Sequence, residues 1–338
     1  MDPRKVVRFD LWLDPAFDER IRREPGLALE VMKIGGPDEA AWAALERARF
    51  YHVSAAKDEL PEKWRVGEAM LARCPGLLCV SSTGAGYDTI DVAACSRAGV
   101  AVLNQAGANA HSVAEHTLGF VIALSRRMVE SDRRLRASRG FAREELMGHE
   151  LRGRVLGLVG IGHCGTEVAA LARPFGLEVI ACDPYLDEAA VRARGARKVT
   201  LDELLARADF VSLHCPRNRE TLGMMGEAAF AKMKRGAFFM TTSRGGIHDE
   251  QALLAALRSG RLAGAGLDVW DREPPPLEHP LLALDNVIAT FHTAGVSHES
   301  RRSMAAMGAE QIVDVAHGRR PPNLINPEVW PALEKRLS

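Results

Sequence analysis

Short apolar and β-branched runs alternate along most of the chain with segments whose apolar positions recur at helical spacing, the pattern of parallel strands joined by crossover helices. In the first third this predicts strands at 6–11, 50–54, 77–82 and 100–103, with helices at 39–48 and 64–73 between them. The alternation then stops. Val113, Leu118, Val121, Ile122 and Leu124 mark one long helix from 111 to about 138, of the kind that links two lobes. Beyond it, strands are predicted at 155–159, 178–182, 210–214, 237–242, 264–268 and 287–290, with helices at 165–175, 201–206 and 250–257. Asp249 is the expected N-cap of the last of these. A final amphipathic helix at 299–317 stops before Pro321-Pro322.

Two α/β lobes follow, and the length of 338 residues agrees at roughly 150 per domain. The 44 basic and 44 acidic side chains cancel, which removes any global bias toward nucleic acid. The opening residues lead into no apolar signal core, and the longest apolar run, near 118–124, is far short of the roughly 20 residues that cross a membrane. The six cysteines lie apart from one another without metal-ligand spacing, as reduced core residues of a cytoplasmic protein would, so no metal site is expected. Arginines 126, 127, 133, 134, 136 and 139 crowd the end of the long helix, and in a neutral chain they are expected to form a solvated face or pack on a second subunit.

The strand at 155–159 runs directly into Gly160-Ile161-Gly162-His163-Cys164-Gly165, a Gly-x-Gly-x-x-Gly sequence that opens a helix. In such a turn the first glycine makes the bend, the second admits a pyrophosphate and the third lets helix and strand pack closely. The next strand ends in Asp183, 18 residues after Gly165, where a carboxylate would bind an adenosine ribose and repel a 2′-phosphate. This pattern predicts NAD(H), preferred over NADP(H).

Four later segments place polar groups at the ends of predicted strands, where open α/β sheets bind ligands: 212–216, 242–246, 267–274 and 289–295. Their order and spacing resemble the D-isomer-specific 2-hydroxyacid dehydrogenase family, which includes phosphoglycerate dehydrogenases and glyoxylate/hydroxypyruvate reductases. The resemblance extends to the loop Ser81 to Asp91 and to Val113-Ala114-Glu115. It implies two Rossmann-like, doubly wound parallel-sheet domains, with a cofactor domain of 105–292 inserted into a flavodoxin-like substrate domain of 1–104 and 293–338. It also implies that Arg244 anchors the substrate, that His292 is the acid/base and that Glu273 is its partner. The cofactor residues implied are Gly160, Gly162, His163, Cys164, Gly165, Asp183, His214, Cys215, Pro216, Thr221, Thr242, Ser243, Arg244, Asp268, His292 and Gly295. Asp268 is then expected beside the nicotinamide, and His214 forms cofactor wall rather than catalyst.

The chemistry asks for the same residue types independently. Reducing a 2-oxo acid needs a proton donor that works near neutrality, which suits histidine, and a planar cation for the carboxylate, which suits arginine. Backbone N–H groups at Ala85 and Gly86 are expected to bind the same carboxylate, and Tyr51, His52 and Tyr87 to face the substrate's side chain. Trp270 is expected to wall the site, and His111, His116 and His298 to lie on helix surfaces.

Ser82 stands where phosphoglycerate dehydrogenases carry an arginine, and the loop Tyr51 to Ala55 lacks another, so an unphosphorylated acid is favoured. Thr241 replaces a common Asn, and Phe291 a common Pro, next to the site. Glu273 disfavours formate, since formate dehydrogenases carry glutamine there. The expected reaction is interconversion of a small 2-oxo acid and its (R)-2-hydroxy acid, by a cytoplasmic homodimer. A rival is an NAD(H)-sensing, corepressor-like binding protein, and oxidation of phosphite ranks lower.

Overall fold

The structure, a computed structural model, describes residues 3–138, 140 and 143–337. Two compact units divide the chain: one runs to Asn109 and resumes at Val296, and the other is Ala110–Gly295. Both are α/β with parallel sheets, the expected Rossmann-like class.

The sheet of the first unit comprises β1 (Arg4–Phe9), β2 (Leu27–Met32), β3 (Ala48–Val53), β4 (Cys79–Ser82) and β5 (Ala101–Leu103), in the order β2-β1-β3-β4-β5. The strands β3, β4 and β5 are buried on both faces, as crossover helices require. Val7, Tyr51, Val80 and Val102 enter one core, while Val6, Phe50, Cys79 and Ala101 enter the other, against Ala305, Ala309 and Ile312 of the helix His298–Ala316. β2 escapes sequence detection because only Met32 of its six residues is buried, leaving no alternation to read.

The second unit has seven strands: β6 (Val155–Val159), β7 (Glu178–Cys182), β8 (Arg197–Lys198), β9 (Phe210–Leu213), β10 (Ala237–Thr241), β11 (Leu262–Leu267) and β12 (Val287–Ala289). Their order is β12-β11-β10-β9-β6-β7-β8, so the chain winds outward in both directions from the neighbours β6 and β9. The Asp249 cap forms, its carboxylate accepting from the N–H groups of Gln251 and Ala252.

Three expectations are corrected. The long helix is two helices, Ala110–Ser125 and Met128–Ala137. His149 N–H and Ser125 C=O pair at 2.8 Å, and Arg127 turns left-handed at φ 50°, which redirects the chain. Helical periodicity runs through the break because neither event leaves a Pro or Gly there. The first division falls after Asn109 rather than 104. The residues between stay with the first unit because Gln105 N–H donates to Gly84 C=O and its side chain accepts from Gly84 N–H. Thr293 and Ala294 stay with the second unit because their N–H groups donate to Asp268.

Candidate active site

The glycine turn fills the point where the second sheet reverses its strand order, the place such sheets bind ligands. Gly160 has φ +88°, and a Cβ there would lie 2.9 Å from Cys215 N and His214 C, so only glycine lets the exits of β6 and β9 approach. A Cβ on Gly165 would lie 2.5 Å from Gly160 O. By contrast, a Cβ on Gly162 would meet nothing within 4 Å, so the space above it is open. The N–H groups of His163, Cys164 and Gly165, at the start of the helix His163–Ala172, have no acceptor among the described residues. Asp183, just past β7, accepts from Ile161 N–H and Tyr185 N–H, each at 3.1 Å. An open glycine, a fan of helix-start donors and a carboxylate on the next strand fit a dinucleotide.

The neighbouring loop supplies the other wall. His214 pairs with Ser212 Oγ at 2.9 Å, and burial pulls its pKa down to about 4, so it stays neutral. Thr221 Oγ1 donates to Pro216 C=O at 2.7 Å and closes that loop, while Ser243 Oγ donates to Leu213 C=O. Burial pushes the thiols of Cys164 and Cys215 up to about 11.

His292 and Glu273 come together, with Nδ1 2.9 Å from Oε2. Burial by itself would raise the Glu273 carboxyl, but the hydrogen bond and charge of His292, the Trp270 N–H and Arg244 outweigh it and carry it below its ordinary value. His292 takes φ 54°, rare for a residue with a Cβ, and is held there by its N–H to Asp268 C=O at 2.8 Å. Arg244 follows β10 and Thr242, its Nη1 donating to Ser243 C=O at 2.7 Å. Gly245 beside it is pressed so closely against Trp270 C=O that a Cβ would lie 2.0 Å away. The two departures from the family pattern leave the pair intact: Thr241 is buried at the end of β10, and Phe291 is 80% exposed.

Around the pair, Trp270 and His116 depart from expectation. Asp268 is fully buried, and its carboxylate accepts from Thr290 Oγ1, Thr293 N–H and Ala294 N–H, so it fixes the backbone on either side of His292. Trp270 is a core strut, its indole N–H donating to Thr290 C=O, rather than a wall. His116 is not a surface group: it is half-buried, 3.2 Å from Thr290 Oγ1, and burial lowers its pKa. His111 is exposed and pairs with Glu115 and Glu167. Gly295 closes the second unit.

In the first unit, Ala85 and Gly86 lie in the loop after β4, and their N–H groups have no acceptor among the described residues. Ser82 Oγ donates to Gly86 C=O and Asn104 Nδ2 to Ala85 C=O, fixing the loop. Tyr87 is 40% exposed. Tyr51 does not face substrate: it is buried in the core and its hydroxyl donates to Trp64 C=O. His52, on the opposite face of β3, is also buried, between Ser81 Oγ and Thr83 Oγ1, and burial pulls its pKa to about 3. A strand sends neighbours to opposite faces, so two adjacent residues could not both have faced one ligand. Sequence reading missed Arg194, whose guanidinium donates to Ile161 C=O in the glycine turn, and the His116–Thr290–Asp268 chain. No motif marks either.

Four of the arginines after Ser125 are met by acids: Arg127 and Arg134 by Glu130, Arg136 by Asp132 and Arg133 by Asp285. Arg139 lies outside the described residues. Among the described residues no group of acids, histidines and cysteines is placed to hold a metal ion, and no helix is long and apolar enough to cross a membrane.

A glycine crevice at a sheet reversal beside a histidine–carboxylate pair defines a nicotinamide-dependent class of protein, and comparison with known proteins narrows it. Residues 118–294 match the model of the D-isomer specific 2-hydroxyacid dehydrogenase, NAD binding domain. The chain is 40% identical over 258 residues to a glyoxylate reductase of Korarchaeum cryptofilum, covering 75% of this chain and 78% of that protein. It is 36% identical over 269 residues to a D-3-phosphoglycerate dehydrogenase of Archaeoglobus fulgidus, covering 79% of this chain and 51% of that protein. The chain thus spans about half the length of that relative. A solved glyoxylate reductase from Paecilomyes thermophila superposes with TM-score 0.84 at 26% identity, covering 97% of this chain and 100% of that one. The chain belongs to the D-isomer specific 2-hydroxyacid dehydrogenase family.

Proposed function

We propose that the protein interconverts a small, unphosphorylated 2-oxo acid and its (R)-2-hydroxy acid with NAD(H). The observation that carries the reading is the His292–Glu273 pair at 2.9 Å, in the same unit as the open glycine crevice. A bound nicotinamide supplies or accepts the hydride. His292, with Nδ1 turned to Glu273, gives a proton from Nε2 to the carbonyl oxygen in reduction and retakes it in oxidation. Glu273, kept ionised, orients the ring and compensates the charge it carries when protonated. Arg244 anchors the carboxylate through its planar fork and polarises the adjacent carbonyl. In the first unit, Ala85 and Gly86 offer backbone donors suited to a carboxylate.

Asp183 supports NAD(H) over NADP(H), because its carboxylate, already oriented by two N–H groups, opposes a 2′-phosphate. Ser82 supports an unphosphorylated substrate, since its hydroxyl is engaged by Gly86 and offers no cation. The helix Met128–Ala137 buries none of its side chains and exposes Met128 and Leu135, which supports a homodimer through this unit. Six free cysteines agree with a reducing cytoplasm.

The test is loss of NADH absorbance against a panel of 2-oxo acids, with NADPH and His292→Ala in parallel. Turnover with NADH that collapses in the variant is expected. Tight NADH binding without turnover of any acid would overturn the reading in favour of a sensor.

A further inference from the structure

At φ 54°, His292 holds a backbone conformation that a residue with a Cβ keeps only where its surroundings impose it. Its N–H donates to Asp268 C=O at 2.8 Å, and the next N–H groups, of Thr293 and Ala294, donate to the Asp268 carboxylate at 2.7 and 2.9 Å. On the other side of His292, Thr290 Oγ1 lies 2.5 Å from the same carboxylate. Asp268 is fully buried, so this tie is shielded from water.

Thr290 brings in a second element. A hydroxyl has one hydrogen, and that of Thr290 is committed to Asp268, which leaves the oxygen to accept. His116 Nε2, on the helix Ala110–Ser125, lies 3.2 Å from it. Burial lowers the pKa of His116, so near neutrality the ring is uncharged and its one N–H sits on Nε2. The chain then runs in one direction, from His116 N–H to the Thr290 hydroxyl to the Asp268 carboxylate. His116 Nε2 also lies 3.9 Å from Asp268 Oδ1, where the positive end of its N–H favours the buried carboxylate. The ring is itself held in place. Phe120 meets it edge-on with centroids 4.6 Å apart, and a Cβ on Gly266 of β11 would lie 2.6 Å from Phe120 Cγ.

We propose that His116 is a positioning residue, a role that rests on the proposed reaction: through Thr290 and Asp268 it holds His292 in the left-handed conformation that puts Nδ1 on Glu273. Its effect falls on the chemical step. The glycine turn is fixed separately, by Gly160 N–H on Cys182 C=O and by Asp183 and Arg194 on the N–H and C=O of Ile161.

The test follows NADH oxidation with the best acid of the panel in His116→Leu, His116→Gln, Thr290→Val and the double variant His116→Leu/Thr290→Val. His116→Leu removes the donor and is expected to lower kcat about tenfold, with KM for NADH within about twofold of wild type. His116→Gln carries an amide N–H at a similar reach and is expected to recover most of the loss. Thr290→Val breaks the chain in its middle, so adding His116→Leu to it is expected to lower kcat no further. In the protein without cofactor, amide hydrogen exchange over residues 290–294 is expected to quicken in His116→Leu and to slow again in His116→Gln. Thermal melting of each variant checks folding.

If the wild type turns over and His116→Leu keeps its kcat, the positioning role is wrong and the function stands. The same holds if His116→Gln is as slow as His116→Leu, or if the losses of His116→Leu and Thr290→Val multiply in the double variant. Unchanged exchange over 290–294 in His116→Leu overturns the hold on the His292 backbone whatever the activity. Turnover of no acid by the wild type overturns the reaction and, with it, the role of His116 in that reaction.

Discussion

Each of the two sheets reverses its strand order once, and the two crevices are built from different materials. In the second unit the crevice is made of backbone: glycine at 160, 162 and 165, helix-start N–H groups, and an open space over Gly162. In the first unit it is made of side chains from five separated stretches, around about 30 Å³. A backbone-lined crevice suits a ligand shared by many proteins, since it needs only glycines at fixed spacing. A side-chain-lined crevice suits discrimination between similar small molecules, because each wall can be exchanged alone.

The largest effect should come from the chemistry that only the second unit carries. His292→Ala is expected to lower kcat by about 10²–10⁴-fold, read as NADH oxidation, with NADH affinity retained. Next is the backbone crevice itself: Gly160→Ala places a Cβ 2.9 Å from Cys215 N at φ +88°. It should cost about 1–3 kcal/mol of stability and weaken NADH binding, measured by melting and fluorescence titration. Retained NADH affinity in Gly160→Ala would break the contrast, because the crevice would then not be fixed by its backbone.

A pH series sharpens the comparison, because burial depresses one histidine at each crevice, His52 to about 3 and His214 to about 4. A histidine whose folded value lies below its unfolded value binds more protons unfolded, so stability is full above about 6.5 and is lost as pH falls toward the folded value. Unfolding free energy should fall between pH 7 and pH 5, with about 2 kcal/mol from His52 by pH 5, and His52→Gln should flatten the fall. Buried His248, also depressed, adds in the same direction. A stability independent of pH over this range would show that these rings do not stay neutral on folding.

Asp183→Ser is expected to lower the NADH-to-NADPH ratio of kcat/KM about tenfold. The smallest effect separates core from crevice in the first unit. Tyr51→Phe should cost about 1 kcal/mol through the lost hydrogen bond to Trp64 C=O and leave the ranking of 2-oxo acids unchanged. A changed ranking would return Tyr51 to the substrate side.

What the sequence carried by itself was whatever depends on local chain chemistry. Strand cores such as Val155–Val159, the Asp249 cap and the glycine turn were legible because periodicity, capping and positive φ act within a few residues. The histidine–glutamate pair was legible only through the order of its motifs, since 19 residues of chain separate its members. Tertiary structure decided the rest. The helix ended at Ser125 because His149, far along the chain, pairs with it. Asp268 turned inward because three donors from the loop after β12 converge on it. Tyr51 went to the core, and Arg301 and Glu59 met around one cavity, because sheet register and helix packing, not sequence neighbourhood, set which side chains share a space.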